Sequence, residues 1–195
     1  MKLGTIIAAT VAAAFAPIAF AQTTGSAVQR NVNQQERIEQ GLKSGQLNTR
    51  EAARLEGEEA RVDKLESRAL SDGKLTDQER ARIDRAQNQV SRDIYREKHD
   101  AQVGNPNSKS SQRMQADVQR NINQQERIEQ GVKNGTLTNR EVGKLERGQA
   151  RDNAAQSRAG RDGHVGRNEQ ARIQNAEDTQ SRRIYREKHD QQNRP

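Results

Sequence analysis

The segment of the chain richest in chemistry is Ile94-Tyr95-Arg96-Glu97-Lys98-His99-Asp100, which recurs unchanged as Ile184 to Asp190. Beyond Phe20 the only aromatic residues are Tyr95 and Tyr185, and His99 and His189 are two of the three histidines. On a helix, Tyr95 and His99 stand one turn apart, as do Arg96 and Asp100. The repeat places Tyr185, Arg186, His189 and Asp190 in the same way. These eight residues form a candidate interaction surface. A metal held by His99 and Asp100 would need ligands from both copies, because two side chains are too few for a site. The plainer reading has Tyr95 covering the end of a thin core, with Lys98 and His99 favouring the negative end of the helix dipole. His164, which replaces Lys74 in the second copy, reads as incidental.

The second group of candidates lies in turns. Ser44-Gly45-Gln46-Leu47-Asn48-Thr49-Arg50-Glu51, Asp72-Gly73-Lys74-Leu75-Thr76-Asp77-Gln78-Glu79 and Asn134-Gly135-Thr136-Leu137-Thr138-Asn139-Arg140-Glu141 share the pattern Gly-x-Leu-Thr/Asn-x-x-Glu. This pattern resembles the second half of an EF-hand calcium loop, in which a Gly makes a sharp turn and a Glu six residues later is a bidentate ligand. The resemblance spans about eight residues per turn and implies calcium ligation by Asp72 and Glu79, and by Asp162 and Glu169 in the second copy. The first and third loop positions would be Arg68 and Leu70, which cannot ligate a cation. Helix capping accounts for the same residues without metal. Gly45 and Gly73 suit the left-handed position that ends a helix. Asn48 or Thr76 caps the next helix, and Glu51 or Glu79 completes a capping box.

These residues are carried by a duplicated helical unit. Val28 to Gln102 aligns with Val118 to Gln192 at a constant offset of 90 residues without a gap. The two ends of the unit match more closely than its middle. Each unit reads as three helices, about Ala27 to Ser44, Thr49 to Ser71 and Asp77 to His99, with apolar residues recurring at three- and four-residue steps. The fold class is therefore all-α: two tandem three-helix (up-down-up) units behind a cleaved N-terminal signal helix. The expected divisions are a signal peptide at 1–21, a first unit at 22–102, a linker at 103–117 and a second unit at 118–195. In an up-down-up bundle the first helix and the Tyr-His end run parallel and pack together. Val62, Leu65 and Val90 become Asp152, Ala155 and Gln180 in the second copy, so the second unit is expected to be the less stable.

Composition bounds the function. Lys2, an Ala/Ile-rich run and Ala19-Phe20-Ala21 have the order of a secretory signal with cleavage before Gln22. That places the mature protein in the periplasm or outside the cell, and not embedded in a membrane. The absence of Cys excludes disulfides, thiolate metal sites and Cys nucleophiles. There is no Gly-rich phosphate loop, Gly-x-Ser-x-Gly or His-Glu-x-x-His, so no enzyme is expected. The formal net charge is +7, with acids and bases interleaved along helical faces. This pattern usually means a solvated surface, permits a polyanion partner, and disfavours nucleic acid for want of aromatics to stack on bases. The expectation is a non-catalytic exported helical repeat protein that needs no cofactor and binds a protein partner in the cell envelope. Its alternatives are a calcium binder using the turns and a polyanion binder.

Overall fold

The structure, a computed structural model, describes residues 16–190, with side-chain surroundings from Thr24 onward. It is all-helical: α1 (Ala16–Ser44), α2 (Thr49–Ala69), α3 (Asp77–Lys98), α4 (Lys109–Lys133), α5 (Asn139–Ala159) and α6 (Arg167–Lys188), with a short 3-10 turn, Gly160–Asp162, after α5. Most of the expected signal segment, 1–21, lies outside the described residues, and α1 begins inside its last part. None of these helices is long and apolar enough to cross a membrane. The segment expected as a linker, 103–117, is helical from Lys109 on. Ser108 caps this helix by accepting from the Ser111 N–H, so the connection is shorter than its composition implied.

Capping chemistry sets the corners. Asn48 and Glu51, Thr76 and Glu79, and Thr138 and Glu141 each form a reciprocal capping box. Gly45 and Gly73 have φ of 77° and 87°, where any side chain would strain the backbone. The Leu of the turn has a packing role as well. The Leu47 N–H donates to Gly41 O at 2.9 Å, and a Cβ on Gly41 would lie 2.6 Å from the Leu47 side chain. Gly131 and Leu137 repeat this lock in the second copy.

Within each copy the helices alternate in direction. Contacts from Arg30 to Asn88, Gln34 to Ser91 and Lys98 to Gln40 run α1 parallel to α3. The largest interfaces, however, lie between the copies: α2 on α5, and α1 on α4. Asp63 meets Asn153, Ser67 meets Arg147 and Gly57 abuts Ser157, so α2 and α5 are antiparallel. Both apolar clusters are shared. One joins Val32, Ile38 and Leu42 to Met114 and Val118; the other joins Val28, Leu70 and Ile83 to Ile128, Val132 and Leu145. The thinner apolar stripes of the second copy therefore pack against those of the first.

Candidate functional site

The turn acids are spent on backbone N–H groups of their own turns and caps. Glu79 accepts from the Thr76 N–H at 2.9 Å and the Thr76 hydroxyl at 2.6 Å. Asp72 accepts from the Lys74 N–H, Asp162 from the His164 N–H, and Glu169 from the Gly166 N–H. Among the described residues, none of these four joins two other potential ligands in one group. Turns of opposite copies face each other. Arg50 donates to Asp162 O at 3.0 Å, and its repeat partner Arg140 donates to Asp72 O at 3.4 Å.

The Tyr-His end differs from the expected packing. Tyr95 and Tyr185 are 62% and 59% exposed and do not cover the core. Each stacks on the histidine one turn later, with ring centroids 4.1 Å apart. His99 Nδ1 lies 2.7 Å from Tyr95 O. A carbonyl only accepts, so the proton sits on Nδ1. Arg96 pairs with Asp93 and Glu97 rather than with Asp100, and Asp100 accepts from the Gln102 N–H at 2.8 Å. The fold then joins the two sequence motifs. Oxygens of Glu51, Glu97 and Asp100 come within 4.8 Å of one another, as do those of Glu141, Glu187 and Asp190. Burial and the nearby Asp100 and Glu97 push the Glu51 carboxyl up. Arg54 pairs with Glu97 and Lys144 with Glu187, so each corner is partly neutralised and ties the start of one helix to the end of the next.

The interior holds a feature that sequence reasoning missed. Buried polar and charged residues are as numerous as buried apolar ones. Glu56, Glu59, Asp63 and Glu66 line one face of α2. The repeat positions on α5 are Glu146, Gln149, Asn153 and Gln156, and all eight are buried. Asn31 and Gln87 donate to Glu66, Gln35 to Glu56, Gln125 to Glu146, and Asn153 to Asp63. Burial pushes Glu56 up to about 8 and Glu146 up to about 7, and it holds Glu59, Asp63 and Glu66 well above the carboxylate range. A further acidic group lies in the second copy. Burial, with their mutual charges, raises Glu177 to about 8, and burial raises Asp117 and Asp152 to about 7. The signal was present as three- and four-residue spacing of acids on α2, but such spacing also describes a solvated face.

On the outer side of the α2–α5 pair is a groove of about 670 Å3. Its floor is Gly57, Ala60, Ala150 and Ala154, and its rim is Arg61, Lys64, Arg68, Arg147, Arg151 and Arg158. No acid lines it. Among the described residues, none of the six cations forms an ion pair, and Arg147 donates to Ser67 Oγ at 3.3 Å. Arg61 and Arg151, and Arg68 and Arg158, are repeat equivalents, so four of the six charges are laid out symmetrically about the crossing. A smaller depression beside Tyr185 is also flanked by Arg127, Arg182 and Arg186. No family model, curated protein or solved structure matches this chain.

Proposed function

We propose that this is a non-catalytic, exported binding protein of the periplasm or cell exterior, built from two three-helix units, that holds an acidic polymer in the α2–α5 groove. The observation that carries the reading is the rim of six cations without a single acid. Small side chains on the floor let an extended chain lie close to the helices. The binding would rest on charge, which makes it salt-dependent and tolerant of sequence. This favours a polymer of repeated sulfate or carboxylate groups over a folded protein surface. The exposed Tyr-His stacks and the Arg-lined depression beside Tyr185 are a second contact point for the same polymer.

The test is calorimetric titration of the whole chain with heparin fragments at two salt concentrations, with neutral dextran as control. Heparin is expected to bind, with affinity falling steeply as salt rises, and dextran is not. Arg61→Ala with Arg151→Ala should weaken heparin binding at least tenfold and lower the salt slope by about 2, roughly one per charge removed. Equal binding by this variant, or binding indifferent to salt, overturns the reading. A duplex oligonucleotide that outcompetes heparin would move the ligand class to nucleic acid.

A further inference from the structure

Asp63, Glu66 and Glu146 bring carboxylate oxygens within 4.8 Å of one another at the crossing of α2 and α5, and all three are buried. Among the described residues, no Lys or Arg forms an ion pair with any of them. Three carboxylates cannot be buried together as bare anions, so protons or a cation must neutralise them. Hydrogen bonding shows which oxygens are committed. Asn153 takes Asp63 Oδ2 and Gln125 takes Glu146 Oε2, leaving Asp63 Oδ1 and Glu146 Oε1 buried and without a partner. Asn31 donates to Glu66 Oε2 and Gln87 to Glu66 Oε1, so each oxygen of Glu66 already accepts one hydrogen bond and keeps one lone pair. These amides come from α1, α3, α4 and α5. Each fixes a carboxylate by one hydrogen bond, as outer groups orient ligands around a metal.

A separate observation points the same way. Glu59 is 1% exposed, and neither of its oxygens has a partner. It lies one helical turn before Asp63, and its charge is felt at Asp63. Its repeat equivalent on α5, Gln149, is wholly buried, and its amide is equally unpartnered. Glu59 thus shares the stripe of α2 that carries Asp63 and Glu66, acts electrostatically on both, and has two oxygens unspent. We propose that this crossing is a binding site for one hard divalent cation, held by Asp63, Glu66 and Glu146, with Glu59 completing the charge. An all-oxygen set supplied by buried carboxylates suits calcium or manganese better than magnesium, which keeps several waters. The site is closed, so the ion enters as the two copies come together.

The experiment is to unfold the whole chain and refold it with calcium, with manganese, or with chelator. After exchange into metal-free buffer, metal content and melting temperature are measured. About one equivalent of metal should be retained, with a melting temperature at least 5 °C above the chelator sample. Asp63→Asn and Glu66→Gln should fold, since the second copy already carries Asn153 and Gln156 there, but should retain less than a tenth of the metal. Asp72→Asn with Glu79→Gln should retain it fully. Refolded protein without metal, whose melting temperature responds to pH alone, would mean that protons neutralise the cluster and would overturn the site. Loss of heparin binding would leave this result untouched, because the two sites are on opposite sides of α2.

Discussion

Glu66 and Gln87 show most directly how one residue depends on another in this interior. In the first copy Gln87 Nε2 donates to Glu66 Oε1 at 3.1 Å; in the second, Gln156 Nε2 donates to Glu177 Oε1 at 3.1 Å. The acid and the amide have exchanged places while the bond is kept. One carboxyl per pair fits, and two would bury charge against charge. Gln87→Glu alone should therefore destabilise the chain by about 2 kcal/mol, and adding Glu66→Gln should recover most of the loss. Urea denaturation of the singles and the double, at neutral pH and without metal, checks this. Glu177 and Gln87 can be read in the sequence only as polar positions in α3 and α6. Their exchange becomes visible once the fold pairs them with Gln156 and Glu66. Asn48, Gly45 and Glu51 were legible beforehand because their partners lie within a few residues along the chain.

At the scale of elements, the helices follow from capping and apolar spacing, but their partners do not. The spacing on α2 shows that one face is buried without saying against what. Gly160 shows how closely the two copies approach. A Cβ there would lie 2.6 Å from the flexible Met114 Cε, 2.7 Å from Ala53 Cβ and 3.1 Å from Thr49 O, with the backbone at an ordinary φ of −84°. Gly160→Ala should force α2 away from the end of α5 and cost about 1–3 kcal/mol by overpacking. Gly73→Ala meets open space and differs in kind, since its cost is only that of the left-handed backbone. Thermal melts of the two variants separate these causes, because a second-site Ala53→Gly should rescue only Gly160→Ala. Glu97 and Asp100 are a similar case. Their motif was legible, but its meeting with Glu51 depends on α3 folding back along α2.

The whole molecule is governed by carboxyls that are easier to ionise unfolded than folded. Burial raises Glu56, Glu58, Asp117, Asp152 and Glu177 to about 7 or 8. Between the ordinary carboxylate range and those values the folded chain binds more protons than the unfolded one, so stability falls as pH rises. The melting temperature in chelator should be highest near pH 5 and should drop steadily to pH 8. A rise across that window would show the interior acids to be ionised in the fold. The groove cations do not titrate in this range, so heparin binding should persist wherever the chain is folded. Apolar spacing within one copy does not indicate that the largest interfaces lie between the copies, α2 on α5 and α1 on α4. Apolar residues of both copies share each of the two core clusters, so neither copy's stripe is covered by its own helices alone.

The antiparallel meeting of α2 and α5 has one more consequence. If two identical chains associated in this way, every residue on the axis would face its own twin, acid opposite acid and amide opposite amide. Joining the copies covalently lifts that constraint. Asp63 can stand against Asn153, and each half is free to mutate toward what the other lacks. The interior of this protein is thus a heterodimer's interior inherited by a single chain, and its asymmetry is something that no homodimer of either half could reproduce.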